Sequence, residues 1–233
     1  MSKSIDPLYL STHSSRFDFL FSQIDQLNLP PTAKVLDIGC YPPVVFNHLK
    51  KKFQVWGLAS PHEPLNHPQV LVANLETDPL PFSNSTFDLI IFSEVLEHLY
   101  RQIPSILIKL NKLLIPGGYL IITSPNAVSL FTLAKVIIGR NPTYPISDLS
   151  KDDPVLGTIY HRHNREYTAN ELKQLLISAG FKIRSQIFFS AYTPIRPHMA
   201  KKSLSHRLLS WFLYILSYIF PSRRDSLFFL VTN

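Results

Sequence analysis

Cysteine occurs once in the chain, at Cys40. An internal disulfide is thereby excluded, and a reducing compartment is the natural fit. The opening stretch "MSKSIDPLYLSTHSS" lacks the apolar run of a secretory signal, so an intracellular, cytoplasmic protein is expected. No internal repeat or low-complexity tract interrupts the pattern. Acids are scarce beside bases, 16 against 23, which leaves a net charge of +7. With 45% hydrophobic and 17% charged residues the composition is globular rather than disordered. The 233 residues suffice for one domain with a real core, expected to span 1–233.

A basic balance invites nucleic acid or an anionic membrane as partner. The bases cluster at Lys50-Lys51-Lys52, Lys201-Lys202 and Arg223-Arg224, and the last two clusters flank the most apolar part of the chain. That arrangement favours a membrane surface, through 201–224, over nucleic acid. The segment "RLLSWFLYILSYIF" (207–220) is apolar nearly all round. As a helix it spans roughly 20 Å, too short for a bilayer core of ~30 Å. It is either an interfacial helix, with Trp211, Tyr214 and Tyr218 at headgroup depth, or a helix buried against the sheet or in a homodimer.

Residues 16–27, "RFDFLFSQIDQL", place Phe17, Leu20, Phe21, Ile24 and Leu27 at helical spacing, and Pro30-Pro31 ends the element. The runs "KVLDIG", "FQVWGLA", "QVLVAN", "FDLIIFS" and "GYLIITS" follow. They are short and apolar without alternation, the mark of strands buried on both faces. "PSILIKLNKLL" is helical, with Pro104 in its first turn. "TANE" (168–171) is a capping box, and Gly180 suits the left-handed C-terminal position of the helix it starts. "FKIRSQIFFS" and "SLFFLVT" are late strands. Strands alternating with helices predict a doubly wound α/β sheet in three αβα layers. Two regions are irregular: 140–165, expected to form a lid, and the insertion at 191–224.

The first strand ends in "KVLDIGCYPPVV". Asp37 and Gly39 suit a nucleotide-cofactor loop, but Tyr41-Pro42-Pro43 stand where further glycines would let a dinucleotide lie against the backbone. Pro42 and Pro43 can begin the next helix, whose first amides lack intrahelical partners. Tyr41 can wall a pocket. Further on, Glu94, Glu97 and His98 fall at the spacing of a helix start, where Glu97 reads as an N-terminal charge. In "YHRHNREY" (160–167), an extended backbone puts His161, His163 and Arg165 on one side. The His-x-His spacing raises a metal, but no cysteine or carboxylate at metal-site spacing accompanies it, so none is expected. These histidines read either as a general base or acceptor contact, or as a surface loop.

Four stretches, in order, resemble class I S-adenosylmethionine-dependent methyltransferases of the small-molecule type related to ubiquinone and natural-product enzymes. They are "VLDIGC", "LPFSNSTFDLIIFSEVLEHL", "LLIPGGYLIITSPN" and "REYTANELKQLLISAGF". The resemblance implies a Rossmann-like seven-stranded sheet whose last strand, antiparallel, inserts between the fifth and sixth. It implies S-adenosylmethionine as cofactor, held by Asp37, Gly39, Cys40, Tyr41, Asn74, Leu75, Ser93 and Glu94. The family's acid after the second strand is replaced by Ala59, with Glu63 as the nearest substitute. Asn74, where an aspartate often meets the adenine amine, can accept that bond uncharged. His98, His161 and His163 are then the base candidates for methyl transfer to a small-molecule or lipid- or sugar-linked acceptor, at oxygen. Family members that methylate exocyclic amines of nucleic acid carry an Asn-Pro-Pro-Tyr type motif after the fourth strand. This chain has "SEVL" there, so no nucleic-acid partner is expected. Ala59 and the Tyr-Pro-Pro loop leave a non-catalytic scaffold as the alternative, and a nicotinamide-dependent dehydrogenase as a distant third.

Overall fold

The computed structural model describes residues 5–61, 65–142, 163–191, 194 and 203–233. Seven strands form one sheet: β1 (Lys34–Ile38), β2 (Gln54–Ala59), β3 (Val70–Val72), β4 (Phe87–Ser93), β5 (Leu114–Pro125), β6 (Lys182–Phe189) and β7 (Ser226–Thr232). Their order is β3-β2-β1-β4-β5-β7-β6. β1 through β5 run parallel, and β7 is antiparallel to both its neighbours, with Thr232 opposite Tyr119 on one side and Lys182 on the other. The doubly wound α/β expectation holds, including the inserted last strand.

Side-chain alternation along the strands builds two apolar layers. On one face Leu36, Ile38, Ile90 and Phe92 meet Leu107 and Leu110 of α3 (Ile103–Leu113) and Leu172 and Leu176 of α5 (Ala169–Ser178). On the other, Val35, Val55, Leu89 and Ile91 meet Phe17, Leu20 and Ile24 of α1 (Pro7–Asp25) and Phe46 and Leu49 of α2 (Val44–Leu49). Central strands covered on both sides need no polar alternation, which explains their continuous apolar runs.

The helix ends follow local chemistry. At α5, Thr168 Oγ1 accepts from the Glu171 amide while Glu171 Oε2 accepts from the Thr168 amide, the reciprocal box expected of "TANE". Gly180 closes it at φ +89°. α1 begins earlier than the apolar spacing suggested, because Asp6 accepts from the Leu8 amide and Pro7 takes the first helical position. Two helices complete the fold: α4 (Leu130–Ile137), started by Ser129, and α6 (Leu204–Ile219), started by Ser203. No helix of the described residues is long and apolar enough to cross a membrane.

Two local expectations need correction. Residues 94–98 do not open a helix. Glu94 sits at φ +56°, a left-handed conformation that an α-helix cannot contain, and only a single 3₁₀ turn follows at Leu96–His98. Nor do Pro42 and Pro43 enter α2: Pro43 is its cap, the first helical residue is Val44, and the Tyr41–Pro42 peptide is cis.

Candidate active site

The strand order reverses between β1 and β4, so the loops leaving their carboxyl ends diverge and open a crevice, the usual ligand position in such sheets. A cavity of about 370 Å³ lies there, within the ~300–1,000 Å³ range of small-molecule sites. Gly39 and Tyr41 after β1, Ala59 after β2, Leu75 after β3 and Glu94 after β4 contribute to its walls.

Gly39 is required by its position. Its φ is +71°, and a Cβ there would stand 2.5 Å from Val95 Cγ2. The β1 and β4 loops can approach this closely only over a bare Cα. Asp37 stands behind the loop and not among the cavity walls. It is 3% exposed, faces α2 and accepts from the Phe46 amide, while its Oδ2 has no partner. Burial pushes its pKa up to about 8 against that hydrogen bond. Cys40 is buried beside it, between the sheet and α2, and is not a wall residue; burial and then the charge of Asp37 push its thiol up to about 12.

The far wall is organised by a polar network. Glu94 accepts from Thr123 Oγ1 at 2.9 Å and from Arg16 Nη1 at 3.2 Å, and Thr123 shares a 2.7 Å hydrogen bond with Ser93. Arg16 also donates to Tyr9. Through Tyr9, His13 and Arg16, α1 covers one side of the cavity. The sequence did carry a signal for this. His13 and Arg16 lie on the same helical stripe as Phe17, Leu20 and Ile24, and polar residues on a core-facing stripe need a reason. Glu76 is a second wall residue that sequence reasoning missed; its Oε1 accepts from the amides of Tyr100 and Arg101 and ties the β3 and β4 loops together.

Asn74 turns its Oδ1 to the Glu76 amide and takes part in a local turn, while its neighbours Ala73 and Leu75 form the wall. Ser93 lies behind Glu94. Glu63 and His161 fall outside the described residues. His98 and His163 both line the cavity, their rings 5.1 Å apart and nearly perpendicular. The contact is fixed by hydrogen bonds from Asn164 to the backbone of a distant segment. The Asn164 amide donates to Glu97 O, and Asn164 Nδ2 to His98 O, each at 2.6 Å. His163 Nδ1 pairs with Glu166 Oε1 at 2.9 Å.

Glu97, read from sequence as the N-terminal charge of a helix, is 1% exposed and on the cavity wall. Burial, and then the charge of Glu94, hold its carboxyl well above the usual range. Its Oε1 has no partner, and its Oε2 accepts weakly from Ser124 at 3.4 Å.

The sheet order, the antiparallel inserted strand and a crevice closed over Gly39 define a Rossmann-like methyltransferase fold. A family model described as a methyltransferase domain matches residues 13–186, well over half of the chain. The chain belongs to that family and is a class I S-adenosylmethionine-dependent methyltransferase.

Solved structures with the same fold include a SAM-dependent methyltransferase from Archaeoglobus fulgidus, at 17% identity and TM-score 0.57, covering 98% of this chain and 100% of that one. A SAM-dependent methyltransferase from Mesorhizobium loti is 18% identical with TM-score 0.55, over 89% of this chain and 95% of that one. A phosphoethanolamine N-methyltransferase 2 from Haemonchus contortus, in complex with S-adenosyl-L-methionine, is 14% identical with TM-score 0.51, over 88% of this chain and 49% of that one. A comparison with curated proteins finds no match.

The cavity fits the cofactor. Gly39 leaves the backbone bare, Ala59, Ala73 and Leu75 give apolar wall, and Glu76 and Glu94 bring carboxylates to the lining.

Proposed function

We propose that the protein transfers a methyl group to a hydroxyl oxygen of a lipid-linked acceptor presented at a membrane surface. The observation that carries the oxygen assignment is the meeting of His98 and His163 at the cavity, with Glu166 behind His163. S-adenosylmethionine, when bound, supplies an electrophilic sulfonium methyl. The chain's part is to position the acceptor oxygen in line and to manage its proton. Gly39 and Tyr41 hold the methionine end, and Ala59, Ala73 and Leu75 enclose the adenosine. Glu76 is the described acid at the adenosine end, and Glu63 is its rival for the ribose hydroxyls. Glu94 is steadied by Arg16 and Thr123. A hydrogen bond from Nδ1–H to Glu166 fixes the tautomer of His163 and leaves its other nitrogen as a lone-pair donor, and His98 beside it is then the base for the acceptor proton.

The lipid assignment is supported by α6, whose polarity runs opposite to that of an ordinary surface helix. Its buried positions are Ser210, Leu213 and Ser217, while Leu208, Phe212, Ile215 and Ile219 are exposed. α4 lies against α6 and exposes Val136, Ile137 and Ile138, Ile137 to 83%. Neither helix contains an acid, and Lys135, Arg140 and Arg207 lie on or beside them. An apolar patch with these bases at its edge suits an anionic bilayer, where each base contributes ~1 kcal/mol at the headgroups. Lys201 and Lys202 lie outside the described residues.

The test of the oxygen assignment is His163→Ala. Transfer of labelled methyl to a polar-lipid extract should fall by roughly 10²-fold while affinity for S-adenosylhomocysteine stays constant. Unchanged transfer would remove His163 from the chemistry.

A further inference from the structure

We propose that Glu97, His98 and His163 bind a divalent first-row transition metal ion at the acceptor end of the cavity, with an open coordination position for an acceptor oxygen. The inference deepens the methyl-transfer reading and depends on it for the acceptor; the ion's binding does not depend on it.

The three side chains each bring one donor atom, and these atoms lie within 4.8 Å of one another. Ligands about 2.0–2.1 Å from a tetrahedral zinc stand roughly 3.4 Å apart, so a modest closure of side chains would seat an ion. The sequence spacing could not reveal this set. The carboxylate in His163's own segment, Glu166, is taken up by His163 Nδ1, and the fold supplies Glu97 and His98 from 66 and 65 positions earlier in the chain. The Asn164 bonds to Glu97 O, from its backbone amide, and to His98 O, from its side chain, hold the two segments in register.

Two further observations point to a ligand. Glu97 Oε1 is buried without a partner in the wall of a cavity, a position that costs free energy unless something fills the coordination. His163 has one ring nitrogen paired with the carboxylate of Glu166, the outer-shell arrangement that orients a metal-binding imidazole and leaves its second nitrogen as ligand. The nearby cation, Arg16, does not present a bare charge to the site, because Glu94 pairs with it at 3.2 Å.

Two imidazoles and one carboxylate select zinc, cobalt, iron or manganese over magnesium or calcium, which prefer all-oxygen shells. Three protein ligands leave a position open, as a catalytic site requires. That position faces the cavity, so the ligand class it takes is a hydroxyl, or a pair of neighbouring hydroxyls, on the acceptor.

The experiment uses the full chain, stripped with a chelator and dialysed. It is titrated calorimetrically with Zn²⁺, and with Co²⁺ while visible absorption is recorded, alongside a separate titration with S-adenosylhomocysteine. The expected result is one ion per chain with a cobalt spectrum showing nitrogen ligation. Glu97→Gln and His163→Ala should each weaken the ion by tenfold or more while S-adenosylhomocysteine binding persists. Thermal melts control for folding: the ion should raise the melting temperature of the wild type and not of folded variants. His163→Ala, at a half-buried position, keeps the test decisive if Glu97→Gln fails to fold. No binding of either ion by a protein that binds S-adenosylhomocysteine would overturn the metal site and leave the methyl-transfer reading standing. Ion binding that survives both substitutions would also overturn it, placing the ion elsewhere. Loss of S-adenosylhomocysteine binding with the metal site intact would strike the cofactor reading alone.

Discussion

Arg16 Nη1 stands 3.2 Å from Glu94 Oε2, and this ion pair fastens the N-terminal helix to the end of the fourth strand across 78 positions. The two side chains are 9% and 14% exposed, so the pair is largely withdrawn from water. Removing one partner from such a pair strands the other charge and typically costs about 3–5 kcal/mol. Arg16→Met should therefore lower stability in urea by about 3 kcal/mol. The double variant Arg16→Met with Glu94→Leu should recover most of that loss. Equal stability of Arg16→Met and wild type would mean that the helix is not held by this contact.

A second expectation follows from Asp37 and concerns pH. Its carboxyl is raised from 3.8 to about 8 by burial. The native state thus keeps a proton that the unfolded chain releases. The contribution to stability is complete below pH 3.8 and is lost as pH rises to about 8. Within that window stability should fall by up to about 1.4 kcal/mol per pH unit from this group alone. Asp37→Asn retains an acceptor for the Phe46 amide and has no proton to lose. Urea melts at pH 5.5 and 7.5 should show a smaller decline for the variant than for wild type. Parallel declines would contradict the assignment.

The third expectation tests the turn at Gly39. An alanine there would bring Cβ to 2.5 Å from Val95 Cγ2 in a backbone conformation that disfavours side chains. Gly39→Ala should weaken S-adenosylhomocysteine by tenfold or more, about 1.4 kcal/mol. Adding Val95→Ala should restore part of the affinity by relieving the clash, with the backbone cost remaining. If Gly39→Ala binds as wild type does, close approach at this loop is not what holds the cofactor.

The fourth concerns the outward-facing apolar helices. Wild-type protein should float with anionic vesicles at low salt and be released by raised salt or by neutral lipid. Trp211→Glu with Phe212→Glu should abolish flotation without unfolding, since both side chains are exposed. Leu213 is the wrong site for this test because it faces inward. Protein that never floats, and instead runs as a dimer that the double substitution dissociates, would assign the patch to a second copy.

The sheet was legible because its central strands are buried on both faces, and a run such as "FDLIIFS" has few alternative homes. The capping box at Thr168 and the glycine at 180 were legible for a different reason, since both are local chemistry. The place of β7 between β5 and β6 came from the family resemblance, because nothing in "SLFFLVT" specifies its neighbours. What the chain concealed was tertiary. α4 has no fully buried side chain and so no clear core-facing stripe to announce it. Glu97 looked like a helix-start charge until Glu94 proved to adopt a left-handed turn that ends the strand and prevents the helix. The approach of His163 to His98 depends on hydrogen bonds from Asn164 to the 97–98 backbone, and spacing along the chain carries no trace of them.

The central claim is that the crevice above Gly39, with its Tyr-Pro-Pro loop and no acid at Ala59, still holds the methyl donor. Isothermal titration of the full chain with S-adenosylhomocysteine tests it most directly. The account predicts saturable binding at one site per chain, weakened at least tenfold by Gly39→Ala. An absence of heat and of any thermal shift at millimolar ligand, from a protein shown to be folded, would contradict it.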